Sequence, residues 1–379
     1  MCTVTCVAPV NIAVIKYWGK RDENLILPVN DSISATLDMD HLCAKTTVTA
    51  SPDFKENRIW LNGKEESMQN SRLQNCLREI KKRAEVPNEM ENWKIHIRSE
   101  NNFPTAAGLA SSAAGYACLA TALAKLYKTE GDISGIARAG SGSACRSIYG
   151  GFVRWYSGND PTGIDSIARP IAPATHWSEI RILILVVSDS KKKVSSAEGM
   201  KRTLETSKFL KYKVEKIIPD RINEMQKAIL NKDFTTFAEL TMRDSNEMHA
   251  ACLAAYPPCV YMNDISHSIV DLVHKYNDAK GSVKAAYTFD AGSNATIFLK
   301  ERDVSEFVGV LNNFLPMSEN HLNGYLKGIP IKTALPSSDL LCKISLSKQE
   351  PGRLKYIICT KVGDGPKQLP DSEAFSMMD

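Results

Sequence analysis

Residues 101–115 read Asn-Asn-Phe-Pro-Thr-Ala-Ala-Gly-Leu-Ala-Ser-Ser-Ala-Ala-Gly, and this run decides how the fold is interpreted. It joins a strand-like segment at 93–99 to a long alanine-rich helical pattern that ends near Tyr127. Small side chains at such a junction let the backbone approach a bulky ligand, and the first N–H groups of a helix attract anions. The run therefore predicts either a cradle for nucleotide phosphates or a helix kept smooth for close packing.

Composition and charge restrict the class of protein. The chain has 379 residues, of which 43% are hydrophobic and 24% charged, so it is long enough for two domains with a sizeable core. The net charge of +4 is small and the basic residues are dispersed, so nucleic acid is not an expected partner. The densest basic run, at 191–193, indicates a solvated loop or local anion binding.

Cysteine usage indicates a reducing compartment. The ten cysteines include no Cys-x-x-Cys pair and the seven histidines are scattered, so no zinc site is predicted. Cys118, Cys252 and Cys359 lie in apolar runs, as reduced core cysteines do. Polar and charged residues arrive by Asn11 and Lys16, which argues against a signal peptide, and no apolar stretch approaches membrane-spanning length. We therefore expect a cytoplasmic protein without a membrane partner.

The periodicity of apolar residues predicts a mixed chain of strands and helices. The first half is expected to end in a pair of strands, 152–156 and 180–187, the second of them a continuous apolar run fit for a buried strand. Other predicted strands are 2–16, 46–49, 58–61 (turning at Asn62-Gly63), 284–289, 294–299 and 353–361. Predicted helices are 71–84, several over 195–278 with breaks at Pro219 and Tyr256-Pro257-Pro258, and 303–314.

A change in character after Ser188 indicates two domains. Strand patterns dominate before it and helical patterns after it, which places the boundary near 188–194. We therefore expect an N-terminal domain over 1–190 and a C-terminal domain over 191–365. The remaining residues, 366–379, are rich in proline, glycine and acidic side chains and are expected to form a mobile tail.

Two polar segments supply cations. In Asn11–Lys20, Lys16 directly follows an apolar strand and Lys20 is close behind, so the pair can bind phosphate, although Lys16 can also simply snorkel. Residues 140–147 read Gly-Ser-Gly-Ser-Ala-Cys-Arg-Ser. Glycines there expose backbone donors, and Arg146 can hold a carboxylate or phosphate in a bidentate fork. A flexible surface loop explains these glycines less well.

Two further segments supply hydroxyls and one carboxylate. Residues 194–199 open a helix for which Ser195 or Ser196 is a natural N-cap. An apolar strand over 286–289 ends in Asp290 before a glycine turn, where aspartate is usually structural. An anion cradle, cationic clamps and one carboxylate together predict phosphoryl transfer. Serine hydrolase chemistry is not favoured, since no Gly-x-Ser-x-Gly elbow is present.

Taken in order, these motifs resemble the mevalonate diphosphate decarboxylase family, ATP-dependent enzymes of the GHMP kinase superfamily. The resemblance runs from about residue 5 to about residue 365 and rests on Tyr-Trp-Gly-Lys at 17–20, the 101–115 run, the 140–147 loop and Tyr-Thr-Phe-Asp-Ala-Gly at 287–292. It implies a two-domain α+β fold with a ribosomal-protein-S5-like N-terminal domain and a C-terminal α/β-sandwich domain. It also implies an active site in the interdomain cleft and a homodimer.

The resemblance further implies Mg²⁺- and ATP-dependent conversion of mevalonate 5-diphosphate to isopentenyl diphosphate, with ADP, phosphate and CO₂ released. Asp290 matches the general base for the tertiary 3-hydroxyl, Lys16 is expected beside it, and Arg146 with Asn11 grips the substrate carboxylate. No metal ligand from the protein is implied. Other implied substrate contacts are Tyr17, Trp18, Gly19, Lys20, Arg72, Ser141, Gly142, Ser143, Ala144, Cys145 and Ala197. Implied contacts to the ATP phosphates are Ala107, Gly108, Leu109, Ala110, Ser111 and Ser112.

Two positions depart from the family pattern. Ala197 stands where the family has threonine, and Ser293 replaces the proline that usually follows Asp-Ala-Gly. A sister kinase that stops at phosphorylation is the alternative enzyme, and Arg146, suited to a carboxylate that must leave, argues against it. A sensing or scaffold protein is the alternative of another class, but the intact Asp290 and Lys16 argue against that.

Overall fold

The strands and helices are taken from a computed structural model, which describes residues 1–84, 90–103, 111–188, 192–318 and 324–376. The expected phosphate contacts Ala107, Gly108, Leu109 and Ala110 lie outside the described residues. The strands are β1 (Cys2–Pro9), β2 (Asn11–Ile15), β3 (Lys20–Asp22), β4 (Leu27–Pro28), β5 (Ser32–Thr36), β6 (Cys43–Ser51), β7 (Arg58–Leu61), β8 (Lys64–Glu66), β9 (Lys94–Asn101), β10 (Phe152–Trp155), β11 (Ala168–Ala172), β12 (Ile180–Val186), β13 (Ala285–Phe289), β14 (Ala295–Lys300), β15 (Leu326–Gly328), β16 (Tyr356–Lys361) and β17 (Lys367–Leu369). The helices are α1 (Ser71–Arg83), α2 (Ser111–Leu126), α3 (Ser134–Gly140), α4 (Ser196–Thr206), α5 (Lys208–Tyr212), α6 (Ile218–Asn231), α7 (Phe234–Leu253), α8 (Asp264–Ala279), α9 (Glu301–Phe314) and α10 (Ser338–Ile344).

Three larger sheets organise the described chain. The first has the strand order β17-β1-β6-β9-β7-β8 and the second β11-β10-β5-β2, both built mainly from the first half. The third, β13-β14-β12-β16-β15, belongs to the second half, and β3 pairs with β4 in a small ribbon. Within the described ranges, none of the helices is both long and apolar enough to cross a membrane.

Helix α2 explains why the 101–115 run is rich in small residues. Its buried positions include Ala113, Ala117 and Ala120, and the helix lies against β1 and β6. Alanine faces let a helix approach a sheet closely, so the close-packing interpretation of this run holds for its helical part. The same packing fixes the N-terminus of α2, at Ser111, at the edge of the cleft described below.

Aromatic side chains join the two halves of the molecule. Phe237 of α7 is fully buried and its ring contacts the rings of Phe152 from β10, Trp177 and Phe298 from β14. Burial of each such ring contributes about 1.5–3 kcal/mol to folding. The second and third sheets therefore share one continuous hydrophobic core.

Two predicted strand arrangements were wrong. The strand predicted over 2–16 is two strands in different sheets, because Pro9 lacks a backbone N–H and ends β1. The predicted pair at 152–156 and 180–187 does not form: β10 pairs with β5 and β11, whereas β12 pairs with β14 and β16. A continuous apolar run predicts that a strand is buried on both faces, but it does not determine which strands pair with it. The partners of β12 are β14 and β16, which come from the second half of the chain.

The C-terminal segment, which we expected to be mobile, packs on the first sheet. Strand β17 pairs antiparallel with β1, with Leu369 opposite Thr5. Further on, the Phe375 ring lies beneath Lys45, 4.9 Å from its Nζ, and Arg98, 5.0 Å from its Cζ. Backbone pairing and two cation–π contacts, together with hydrogen bonds from Arg98 to the Ser376 carbonyl and from the Phe375 N–H to Thr47, hold residues 367–376 against the sheet despite a composition typical of a tail.

Candidate active site

A cavity of about 740 Å³ lies where the two halves meet, and it gathers most of the expected site residues. The first half contributes Asn11, Ala13, Lys16, Tyr17, Trp18, Lys20, Ile26, Arg72, Ser111, Ser112, Ser141, Gly142, Ser143 and Arg146. The second half contributes Lys192, Ser195, Ser196, Ala197, Met200, Met248, Asp290 and Ala291. Each of the four polar segments singled out in the sequence, 11–20, 140–147, 194–199 and 286–295, thus contributes to the cavity, and the other lining residues are Ile26, Arg72, Ser111, Ser112, Lys192, Met200 and Met248.

An ion pair links the halves across this cavity. Lys16 Nζ lies 2.6 Å from Asp290 Oδ1, although the two residues are 274 positions apart in sequence. The Lys16 side chain is 3% exposed and that of Asp290 is 35% exposed. Lys16 therefore does not snorkel to solvent, and the carboxylate keeps a face open to the cavity. This is the geometry required of a group that takes a proton from a bound ligand.

Arg146 is buried beside this pair and its guanidinium is held in place. Nη1 donates to Ser32 Oγ at 2.6 Å, and Nε donates to Asn11 Oδ1 at 3.3 Å. Asn11 in turn donates to the Ser143 carbonyl at 3.0 Å and to Ser147 Oγ at 2.7 Å. Burial lowers the pKa of Arg146, yet no carboxylate is among these partners, so the guanidinium is prepared for an anion from outside.

Two buried donors in the cavity wall have no hydrogen-bond partner within the described ranges. They are the Tyr17 hydroxyl and the Trp18 indole Nε1. Tyr17 packs edge-on against Trp155, 4.7 Å between ring centroids, and burial raises its pKa, so the hydroxyl stays protonated. Because buried donors are normally satisfied, both point to a bound acceptor.

Gly142 makes room for Tyr17. A Cβ at this position would lie 2.8 Å from the Tyr17 hydroxyl and 2.9 Å from the Trp155 ring. The glycine of the 140–147 loop is therefore required by close approach of an aromatic side chain. The prediction that the loop is more than a flexible surface segment agrees with its burial.

The N-terminus of α2 connects the cavity to a second one. Ser112 Oγ lies 3.2 Å from Ser141 Oγ, and both residues line the first cavity. Ser111 and Ser112 also line a neighbouring cavity of about 560 Å³, together with Ile59, Leu61, Asn62, Glu66, Ser67, Gln69, Asn70, Leu73, Ile97, Ser99, Asn101, Gly115, Tyr116 and Leu119. Two chambers therefore meet at the first helical turn of α2, where backbone N–H groups favour an anion.

The segment before α4 closes the opposite wall. Ser195 is the N-cap of α4 and accepts a hydrogen bond from the Glu198 N–H at 3.1 Å. Lys192 Nζ donates to Ser196 Oγ at 2.7 Å and to the Ala291 carbonyl at 3.0 Å. The basic run at 191–193 thus places one ammonium at the cavity, beside the residue that follows Asp290, in keeping with its local anion-binding interpretation.

Three expected substrate contacts do not line the cavity. Ala144 and Cys145 are fully buried beneath it, and burial raises the pKa of the Cys145 thiol to about 12, so the sulfur stays neutral. Gly19 has a φ of +106° and turns the chain between Trp18 and Lys20. A contact between these three residues and a substrate therefore stays a prediction. Lys20 does line the cavity and pairs with Glu23 at 2.5 Å.

Reasoning from the sequence missed the polar residues of α7. Asp244 and Ser245 are fully buried, and His249, one turn on, is 8% exposed with Nε2 unpartnered among the described residues. Burial, reinforced by the charge of Lys16, lowers the pKa of His249 to about 4, so the ring is neutral. The available signal was their position in a helical stripe whose apolar members include Phe237 and Met248.

The fold and this anion-binding cleft define a two-domain α+β protein of the GHMP kinase type. The profile described as the diphosphomevalonate decarboxylase-like N-terminal domain matches residues 8–168, and that of the mevalonate 5-diphosphate decarboxylase C-terminal domain matches residues 182–369. The chain belongs to the mevalonate diphosphate decarboxylase family.

Individual relatives agree with this assignment over their whole length. The rat diphosphomevalonate decarboxylase is 53% identical over 97% of this chain and 94% of its own. The solved structure of mevalonate diphosphate decarboxylase from Trypanosoma brucei has a TM-score of 0.92 and 38% identity, covering 98% of this chain and 99% of its own. Another structure, solved in complex with MVAPP, AMPPCP and magnesium, has a TM-score of 0.75 and 31% identity, covering 97% and 98%.

The depressed pKa of His249 predicts a pH-dependent stability. Its folded-state pKa of about 4 lies below the ordinary 6.5, so the unfolded chain binds the proton more tightly. The contribution of His249 to the free energy of unfolding is therefore fully present above pH 6.5. It is lost as the pH falls towards 4, and it amounts to at most about 3 kcal/mol. Denaturant unfolding between pH 7 and pH 4.5 should show a shallower decline for His249→Gln than for the wild type. The exposed His274→Gln is the control, because His274 is not among the charges that act on His249, and parallel wild-type and His249→Gln curves would contradict the assignment.

Proposed function

We infer that the cavity between the two halves carries out the reaction of the family, with Asp290 as the general base. The reaction converts mevalonate 5-diphosphate and ATP to isopentenyl diphosphate, ADP, phosphate and CO₂. The observation that carries the assignment of residues is the ion pair between Lys16 and Asp290, placed within one cavity with Arg146. Each part of the reaction has a counterpart among the residues around this pair.

Asp290 is proposed to take the proton of the tertiary 3-hydroxyl. Its carboxylate is partly open to the cavity, and Lys16 compensates its charge at 2.6 Å. As the hydroxyl oxygen attacks the γ-phosphorus of ATP, the same ammonium counters the charge that develops on the transferred group. Proton acceptance and charge stabilisation are thus assigned to the two ends of one ion pair.

ATP is proposed to bind with its nucleoside in the neighbouring cavity of about 560 Å³. That cavity has apolar walls with amide and hydroxyl groups, which suits a nucleoside, and it meets the first cavity at Ser111 and Ser112. The γ-phosphate would then lie at the N-terminus of α2, close to Ser141. Magnesium would bind together with ATP; Ser111, Ser112 and Ser141 would offer it hydroxyl groups on the protein, and it would neutralise phosphate charge there.

Arg146 is proposed to hold the carboxylate that leaves. After phosphorylation, the bond from C3 to the phosphate oxygen breaks and phosphate departs with the electron pair. The C1–C2 bond then breaks, its electrons form the C2–C3 double bond, and C1 leaves as CO₂. The fixed guanidinium, bonded to Ser32 and Asn11, orients the carboxylate so that the breaking bonds stay aligned.

The diphosphate end of the substrate is proposed to bind the remaining cations and donors. The unpartnered Tyr17 hydroxyl and Trp18 Nε1 supply hydrogen bonds to phosphate oxygens. Lys20 and Arg72 line the same cavity and supply positive charge. Ser195 and Ser196 line the wall beside Ala197, so they offer hydroxyls where the family's threonine is missing.

The proposal extends to assembly and compartment. A homodimer and the division at residue 190 follow from the resemblance and the sequence pattern rather than from a contact seen in the molecule. A cytoplasmic location is supported by the ten cysteines, all of them free, since disulfides are rare in reducing compartments.

The function is tested by following two products together. Purified protein is given Mg²⁺-ATP and mevalonate 5-diphosphate labelled in its carboxylate, and ADP and labelled CO₂ are measured. We expect equal, substrate-dependent release of both. ADP without CO₂ would identify a kinase that stops at phosphorylation, and release of neither would contradict an enzymatic role.

Asp290→Asn should greatly lower turnover while the protein still binds both substrates. The amide keeps the size of the side chain but cannot accept the proton, so we expect kcat to fall by about 10²- to 10⁴-fold. Calorimetry should show ATP and mevalonate 5-diphosphate binding close to that of the wild type. Near-normal turnover in this variant would remove Asp290 from the role of base.

Arg146→Lys should be strongly impaired even though the charge is kept. A point charge cannot reproduce a planar fork that bonds Ser32, Asn11 and a ligand at once, so we expect kcat/KM to fall by about 10- to 100-fold. Arg154→Lys is the matched control, because Arg154 bonds Asp31 at 2.8 Å outside the cavity. Equal kinetics for Arg146→Lys and the wild type would reject the carboxylate clamp.

A further inference from the structure

Two consecutive residues of α7 bind the backbone of Lys16 and the backbone of the residue that precedes Asp290. Asp244 Oδ2 accepts a hydrogen bond from the Lys16 N–H at 2.7 Å. Ser245 Oγ accepts one from the Phe289 N–H at 2.9 Å, and Phe289 immediately precedes Asp290. Both acceptors are fully buried, so the two hydrogen bonds are shielded from exchange with water. The ends of β2 and β13, which belong to different sheets, are therefore bound by two neighbouring residues of one helix.

Asp244 is itself held rigidly. Its second oxygen, Oδ1, lies 2.8 Å from Lys213 Nζ and 3.2 Å from Arg221 Nη1, and Lys213 also donates to the Asp244 carbonyl at 3.0 Å. Arg221 continues to Glu247, to whose Oε1 its Nη2 donates at 2.8 Å. The two carboxylate oxygens of Asp244 thus have different partners, since Oδ1 faces the cations and Oδ2 faces the backbone of Lys16.

Lys213 reaches this position from an irregular helical turn. Residues Lys213–Ile217 form a π-helical stretch between α5 and α6, and Lys213 is 4% exposed. Such stretches occur mostly as single turns and are frequent at functional sites. Here the π-helical turn directs the Lys213 ammonium inward to the carboxylate of Asp244. Asp244 is in turn connected to the cavity through its hydrogen bond to the backbone of Lys16.

We propose that Asp244 and Ser245 form a two-residue template that sets the separation of Lys16 and Asp290. Lys16 is anchored at its N–H by Asp244 and at its carbonyl by Asn30, whose Nδ2 donates at 3.1 Å. With Ser245 fixing the strand end before Asp290, the geometry of the catalytic pair depends on α7. Asp244 and Ser245 are positioning residues: they act through Lys16 and Asp290 and do not line the cavity.

The inference rests on the proposed role of the Lys16–Asp290 pair, and its test separates the two. Asp244→Asn removes the charge that Lys213 and Arg221 need, and Ser245→Ala removes only the hydroxyl. Glu247→Gln is the matched control for the first variant, because it lies in the same ion-pair cluster but bonds Arg221 rather than Lys16. Thr241→Val is the matched control for the second, because the Thr241 hydroxyl bonds only the Phe237 carbonyl of its own helix among the contacts described.

Steady-state kinetics and thermal unfolding are measured for all four variants and for Asp290→Asn. We expect kcat to fall about tenfold or more for Asp244→Asn and Ser245→Ala, because displacement of a catalytic group by 1 Å can cost about 100-fold. KM for both substrates should stay within about threefold of the wild type, since the binding walls are untouched. Glu247→Gln and Thr241→Val should lower Tm by comparable amounts yet keep kcat within about twofold.

The outcomes decide between positioning and mere stabilisation. Retained kcat in Ser245→Ala, or in a folded Asp244→Asn, overturns the template. A loss of kcat in the control variants as large as in the test variants also overturns it, because general loosening of α7 would then suffice. If Asp244→Asn does not fold, the comparison of Ser245→Ala with Thr241→Val decides alone. Undiminished turnover in Asp290→Asn would instead refute the proposed base, whatever the other variants do.

Discussion

A positive charge buried at the end of β2 is the constraint on which the rest of the structure depends. Withdrawing an ammonium from water costs several kcal/mol, and a side chain only 3% exposed must find its compensation inside the protein. Lys16 finds it in Asp290, which the other half of the molecule supplies. The shared aromatic core, the buried carboxylate of Asp244 and the cleft itself all serve to keep those two residues together. Such a pair adds little to stability by itself, so its chemistry is the reason to keep it.

Local patterns were predictable because the forces behind them are local. The hairpin of β7 and β8 turns at Asn62-Gly63, whose φ values of 49° and 79° these two residue types tolerate best. Helix α1 and strands β13 and β14 follow their apolar periodicity to within a few residues. The candidate site could be predicted for a related reason. Polar residues that directly follow apolar strands, such as Lys16 and Asp290, are unusual enough to notice in the sequence.

What could not be predicted depends on partners distant in the chain. The apolar run of β12 indicates burial, but nothing within it names β14 and β16 as neighbours. Asp244 and Ser245 lie in the middle of a helix, where a polar residue ordinarily faces solvent. Their place in a helical stripe of apolar residues indicates burial, but their partners are visible only once β2 and β13 are seen to end against α7. The segment after Gly365 has the composition of a tail, and its order comes from a strand at the opposite end of the chain.

That last pairing has a consequence for how the molecule is made. The edge of the first sheet is formed by β17, near the C-terminus, on a strand that begins at the second residue. During synthesis β1 is translated long before β17, so one side of its backbone stays unpaired until β17 has been made. An open strand edge is a site where other chains can add themselves. The free side of β1 is therefore open to aggregation for as long as β17 has not been translated.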